Sequence, residues 1–357
     1  MIGNKGEWSE VYVLLKLLST GELNVADENL NINKNIYYEI INIFREEGNF
    51  QIKFNIDRTN HQVNIFKQDD EAFLCVIEPL EFGKYSDILL DEIKNNKTGV
   101  FKVEEINDFL KKISVNKLKS PSLKKSDIII QIHDFNSGFA PVLSFSIKSR
   151  LGKPSTLLNA SKSTNFTFQV TGKINDEIMN EFNEEKTLKN SFLKLNGCEL
   201  NFFDVDNETF KNNLMLIDSD LPKICSLMLK EHYIYGVSNV NDILLNLSLK
   251  NELNYNLKSN HPFYYYKFKK MITESALGMV PSRTWMGISD ANGGYIIVRE
   301  DGEVLCYHLY NRNEFEDYLI KNTKFDTPSR SRHQFAKIYK EDGKYFIKLN
   351  MQIRFIK

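Results

Sequence analysis

The chain has 357 residues, 46 basic and 47 acidic side chains, a formal net charge of -1 and a hydrophobic fraction of 42%. This is the composition of a globular protein with length for two or three domains and a sizeable core. It excludes a histone-like, purely electrostatic binder of nucleic acid, and no apolar run approaches the ~20 residues of a membrane span.

In chain order, "KGEWSEVYVLLKLLS" from 5 to 19 predicts an amphipathic helix with Val11, Leu14, Leu15, Leu17 and Leu18 at helical spacing. Glu7, Val11, Leu14 and Leu18 follow the i, i+4, i+7, i+11 series, so Glu7 is expected on the apolar face and Glu10 at its edge. The alternative is a Glu7 that stays exposed in the first turn, where a carboxylate suits the helix dipole. A second helix is expected over 35–46, strands over 50–56, 62–66 and 72–77, and a helix over 103–113. "SDIIIQIHDFNSGFAPVLSFSIKS" then reads as a β-hairpin turning at Phe135-Asn136-Ser137-Gly138. Further helices are expected over 208–215, 221–231, 239–249 and 261–275, followed by two hairpins turning at Asp301-Gly302 and Asp342-Gly343. The fold class is a mixed α/β (α+β) protein. Residues 1–205 are expected to form a core with the N-terminal helix and central hairpin, and 206–357 a C-terminal helical and β-hairpin region.

The N-terminal "MIGNKGEWSE" lacks the charged and apolar regions of a signal peptide, so a cytoplasmic protein without membrane partners is expected. Cys75, Cys198, Cys225 and Cys306 show no paired spacing, which suggests core thiols rather than disulfides or a zinc site. Charge is unevenly placed: Lys111, Lys112, Lys117, Lys119, Lys124, Lys125, Lys148, Arg150, Lys153, Lys162 and Lys173 cluster in sequence against Asp127 and Asp134. "KNTKFDTPSRSRHQFAKIYK" from 321 to 340 is a second basic stretch with Asp326 as its acid. Either is a solvated face or a surface for a polyanion.

The central hairpin carries the chemistry. Its turn pairs residue i with about residue 274 minus i, so Asp127 at the start of one strand meets the end of the next, near Lys148. A carboxylate that holds Mg²⁺ beside a lysine that orients water and balances charge is a construction for phosphodiester hydrolysis. The arrangement resembles the PD-(D/E)XK nuclease motif, with Asp127 in the first position and Lys148 in the last. It departs at Ser146, which stands where the motif has a second acid. A single aspartate is a poor Mg²⁺ site, and the resemblance implies that the missing carboxylate comes from the N-terminal helix, which in nucleases of this kind packs beside the sheet and can contribute a glutamate: Glu7 first and Glu10 as its substitute. Asp134 lies at the wrong end of its strand, Gln131 adds no charge, and His133 reads as a sheet histidine.

"MIGNKGEWSEVYVLLKLL", "SFSIKSRLGKPSTLLNASKSTNF", "YNRNEFEDYLIKNTKFDTPSRSRH" and "FIKLNMQIRF" together resemble the HpaII-type family of type II restriction endonucleases. The resemblance spans both ends and the middle of the chain. It implies a restriction-endonuclease-like core, with a central mixed sheet flanked by helices, and a C-terminal region for DNA recognition. It further implies Mg²⁺-dependent cleavage of both strands of DNA at CCGG, 5′-phosphate ends, and a partner cytosine methyltransferase that protects the site. A palindrome makes a homodimer plausible.

Guanine O6 and N7 are read by arginine or lysine, each bidentate contact being worth ~1–3 kcal/mol of discrimination. Arg330 and Arg332, at i and i+2 of an expected extended loop followed by His333 and Gln334, are candidates for adjacent guanines; phosphate contact or a salt bridge is the alternative. Arg150 and Lys153, just beyond Lys148, suit backbone phosphates, which position a duplex without reading it. Gly152 allows close approach of the backbone. Asn159, Ser161, Ser163 and Asn165 offer neutral donors, or else cap a helix and fill turns. No nucleotide-binding glycine motif is present, so no nucleotide cofactor is expected. A repair-type or nicking nuclease, an inactive sequence-specific DNA-binding protein, for which Ser146 argues, and an α/β protein with incidental basic surface are the competing readings.

Overall fold

The computed structural model describes residues 1–27, 29–119, 126–135, 138–308, 310 and 312–356. The expected turn centre Asn136-Ser137 and the lysines Lys124 and Lys125 lie outside the described residues. The chain forms two compact units, one of residues 1–155 and 289–318, the other of 156–288 and 319–356. The compact units therefore do not break at the expected 205/206 boundary, and the first recruits its last two strands from late in the chain.

Most strands of the first unit form one mixed sheet in the spatial order Glu22–Ala26, Val304–His308, Gly294–Val298, Val142–Ser149, Ile128–His133, Ile32–Glu46, Gln51–Asp57, Gln62–Lys67, Ala72–Ile77. Gly294–Val298 runs parallel to Val142–Ser149, and Val304–His308 parallel to Glu22–Ala26; the other neighbours are antiparallel. Glu22–Ala26 also pairs with the first half of Ile32–Glu46, which closes six of these strands into a ring.

The segment expected as a helix over 35–46 is the long strand Ile32–Glu46. Ile36, Ile40, Ile43 and Phe44 mimic a helical stripe. Yet isoleucine, tyrosine and phenylalanine dominate the stretch, and their branched or aromatic side chains suit a pleated surface. The register shift between Ile40 and Asn42 lets both Ile40 and Ile43 point into the core, which disguises the alternation. The expected helix over 103–113 shortens to Asn107–Lys112. A helix that was not expected, Pro79–Asn95, opens on its proline and buries Phe82, Ser86, Leu89 and Ile93 along one stripe.

The N-terminal helix spans Lys5–Thr20, and Gly21 closes it in the left-handed conformation at φ 69. Trp8, Val11, Tyr12, Val13, Leu14, Leu15, Leu17 and Leu18 are all buried, so it is enclosed nearly all round. It packs on Pro79–Asn95 and on the strand Val142–Ser149. Trp8 Nε1 donates to the Phe101 carbonyl at 3.1 Å, and the hydroxyls of Ser9 and Ser149 share a hydrogen bond of 2.8 Å. These contacts fix the rotation of the helix against the end of the central hairpin. Among the described residues, no helix is long and apolar enough to cross a membrane.

In the second unit, the strands Cys198–Val205, Asn165–Gly172, Lys344–Asn350 and Ile338–Glu341 form a sheet in that order, with Thr156–Leu158, Ile353–Phe355 and Thr323–Phe325 as a smaller one. The expected helices appear as Glu208–Ile217, Leu221–Tyr233, Val240–Lys250 and Phe263–Leu277. The hairpin at Asp342-Gly343 turns with φ 47 and 75, the left-handed pair that a two-residue turn requires.

Candidate active site

The hairpin register pairs Ile128 with Phe145 and Ile129 with Ser144, one residue from the expected offset. The Asp127 N–H donates to the Phe145 carbonyl at 2.8 Å, which fixes the aspartate at the mouth of the hairpin. Its Oδ2 accepts from the Ile147 N–H at 2.7 Å and from Ser146 Oγ at 3.0 Å. Ser146 Oγ in turn accepts from Lys148 Nζ at 2.9 Å. Ser146 and Lys148 share a strand face because side chains two apart point the same way. The serine in place of the motif acid is thus a buried hydroxyl bridge between lysine and aspartate.

Tyr295, opposite Ser146 on the parallel neighbour strand, lays its ring 5.3 Å from Lys148 Nζ. That position favours a cation electrostatically. Burial nonetheless pulls the Lys148 ammonium below its ordinary pKa, while the charges of Asp127 and Glu10 oppose the shift.

Glu10, on the N-terminal helix, is within electrostatic reach of Asp127 and Lys148. Burial, reinforced by the charge of Asp127, raises its carboxyl to about 8, against the opposing charges of Arg45, Lys119 and Lys148. Its Oε2 is buried without a hydrogen-bond partner among the described residues. A buried oxygen left so is expensive unless something outside the chain satisfies it. Glu7, expected first for this role, serves the helix instead. Its Oε2 accepts from the Asn4 N–H at 2.9 Å while Asn4 Oδ1 accepts from the Glu7 N–H at 3.1 Å, a capping box.

Glu10 and Lys148 line a cleft of about 770 Å³. Its rim includes Asn4, Lys5 and Gly6 at the helix start, Asn96–Gly99, and the chain from Leu151 to Ser155. Lys153 lines it, whereas the Arg150 charge acts on Tyr307 and Tyr318. Lys5 Nζ donates to the Leu151 carbonyl at 3.4 Å, and Gly152 lies against the Lys5 side chain, too close for a larger residue without adjustment.

Other expected residues have other surroundings. In the second unit Arg330, Arg332 and His333 form one helical turn, Arg330–His333, not an extended loop. Residues i and i+2 then diverge by roughly 200° instead of pointing together. Arg330 spends its guanidinium on the carbonyls of Glu185 and Ala336, at 3.2 and 2.7 Å, while Arg332 is exposed. Ser161 caps a short turn by accepting from Ser163 N, Asn165 is buried and bonded to the His333 carbonyl, and Asn159 is exposed. In the first unit His133 lies beside Glu39 and Phe135, and Gln131 bonds Asn42 within a row of amides across the sheet. Asp134 sits at the turn end of its strand, away from Asp127.

Sequence reasoning passed over Tyr295, Asn96–Gly99 and the Arg45–Glu47 pair. Only strand order brings these to the hairpin, and no local spacing signals that order.

The residues fit a divalent cation of the magnesium class: Glu10, with an unsatisfied buried oxygen, lines the cleft, and the charge of Asp127 acts on it from the mouth of the hairpin. Among the described residues no cluster of three or more His, Cys, Asp or Glu side chains is grouped for a metal. A family model for the HpaII restriction endonuclease matches residues 4–355. The chain is 44% identical over 357 residues to the type II restriction enzyme HpaII of Haemophilus parainfluenzae, covering 99% of this chain and 98% of that protein. No solved structure matches it. Because the match runs from the capping box through the Asp127–Lys148 hairpin to the last strand, the chain belongs to the HpaII restriction endonuclease family.

Proposed function

We propose that this site-specific endonuclease hydrolyses both strands of DNA at the palindrome CCGG, with Mg²⁺ held by Asp127 and Glu10. The observation that carries the reading is Glu10, whose Oε2 is buried and unsatisfied and whose carboxyl feels the charges of Asp127 and Lys148. Bound there, Mg²⁺ would polarise the scissile phosphate and an adjacent water. Ser146 holds Lys148 and Asp127 at fixed separation. Lys148 orients the attacking water and balances charge on the phosphate. Water adds to phosphorus, the bond to O3′ breaks, and the 3′ oxygen takes up a proton, leaving a 5′-phosphate. On this reading the hairpin is a PD-(D/E)XK-type site whose second acid comes from the N-terminal helix.

Lys153 is assigned to the DNA backbone, as are Arg150 and Arg332; the second unit, with Asn159, Ser161 and His333, is assigned to recognition. The two-fold symmetry of the site favours action as a homodimer, and the cellular setting is a cytoplasmic restriction system with a cytosine methyltransferase. The test is incubation with Mg²⁺ and a plasmid of known sequence, followed by end-mapping, for wild type and Lys148→Ala. Wild type is expected to give one repeated double-strand cut with 5′-phosphates, while Lys148→Ala binds DNA and cuts at least a hundredfold more slowly. Nicks on one strand, or near-normal cutting by the variant, would overturn the reading.

A further inference from the structure

A buried ion pair lies near the proposed cleavage site. Arg45 and Glu47, both buried on the strand Ile32–Glu46 and the turn after it, form an ion pair of 2.9 Å. The pair is spent on one segment. Arg45 Nη2 donates to the carbonyls of Lys117 and Leu118, at 2.5 and 2.9 Å, and Glu47 Oε2 accepts from the Asn116 N–H at 3.0 Å. Leu118, itself buried, packs on Gly3 so closely that a Cβ there would collide with it. Three hydrogen bonds and this contact therefore pin residues 116–118 against the start of the N-terminal helix, at the rim where Asn4, Lys5 and Gly6 line the cleft.

The next residue is Lys119. It is exposed and makes no hydrogen bond or ion pair among the described residues. It follows Leu118, which packs on Gly3 next to the cleft-lining Asn4, and its charge acts on both the Glu10 carboxyl and the Lys148 ammonium. A buried Arg–Glu pair is costly to desolvate and is a poor source of stability by itself. Here it holds the segment that carries an exposed lysine close to the start of the N-terminal helix, where the cleft is lined by Asn4, Lys5 and Gly6.

We propose that Lys119 is a further DNA-binding residue of the cleavage site, gripping a backbone phosphate next to the scissile one. The proposal rests on the reading of the cleft as the place of cleavage. A phosphate there is the partner whose charge matches the lysine and whose position brings the scissile bond to Asp127 and Glu10.

The test uses the full chain with Lys119→Gln and Lys119→Arg, their folding checked by unchanged thermal melts. Binding to a CCGG duplex and to an unrelated duplex is measured in EDTA across a salt series. One phosphate contact contributes about 0.9 to the slope of log affinity against log salt. Lys119→Gln is expected to lower that slope by about one, to weaken both duplexes equally, and to slow single-turnover cutting about tenfold with DNA saturating. Lys119→Arg should retain all three values. Unchanged slope and affinity would overturn the proposal, as would a loss confined to the CCGG duplex or an unchanged rate at saturation. Full cutting by Lys148→Ala would instead sink the reading of the site, while leaving the salt slopes interpretable.

Discussion

Glu7 and Glu10 are one helical turn apart, yet their surroundings assign them opposite work. Glu7 faces the N-cap and neutralises the free N–H of Asn4, a task glutamine performs equally well in a capping box. Glu10 lies where the charge of Asp127 acts on it, and in the proposed metal site an amide in its place would bring no charge to the ion. Glu7→Gln is therefore expected to cut DNA within about twofold of wild type, and Glu10→Gln to lose a hundredfold or more in single-turnover cleavage. Equal loss in the two variants would show that the helix register, and with it the identity of the second acid, is wrong. From the sequence, Glu7 looked better because the helix was assumed to have one apolar face. A helix buried nearly all round leaves a flank that faces the cleft, and Glu10 occupies it.

That enclosure is a property of the element, and it decides how firmly Glu10 is held. The helix is wedged between Pro79–Asn95 and the sheet, and Ser9 ties it to Ser149 beyond Lys148. Leu14 is 1% exposed in that interface. Leu14→Ala should lower stability by roughly 2–5 kcal/mol, the usual range for a cavity in a packed core. Denaturant unfolding measures this. Below its transition the variant should still cut with wild-type metal dependence, since an aliphatic side chain supplies no ligand to an ion. The helix was legible because its apolar residues are dense at helical spacing, and the two-residue hairpin turn because Asp342-Gly343 demands left-handed backbone. Ile32–Glu46 was not, since a strand with a bulge places Ile36, Ile40 and Ile43 at intervals that imitate a helix. Pro79–Asn95 was legible in principle: its first residue is proline and Phe82, Ser86, Leu89 and Ile93 keep helical spacing.

At the scale of the whole molecule, the site joins segments that local pattern cannot connect. Asp127 and Lys148 were found together because a hairpin is local, whereas Glu10, Tyr295 and the Arg45–Glu47 clamp arrive through strand order. Their convergence links the stability of the entire fold to proton and metal. Burial holds the Glu10 carboxyl at about 8 in the folded chain, against 4.5 for an ordinary glutamate. For a carboxyl raised in this way, the folded state is penalised progressively as pH climbs from about 4.5, and the penalty is complete above about 8. A divalent cation binds the ionised form, so binding must release that proton at lower pH, and affinity through Glu10 falls by up to about tenfold per unit below about 8. A ligand of the folded state stabilises it by about 2.7 kcal/mol at a hundred times its dissociation constant. The gain in melting temperature from added Mg²⁺, without DNA, should therefore be larger at pH 8.5 than at pH 6.5. In Glu10→Gln the gain should be small at both. Calorimetry with Mg²⁺ or with EDTA decides it: an equal gain at the two pH values, retained in Glu10→Gln, would mean that the ion is held elsewhere.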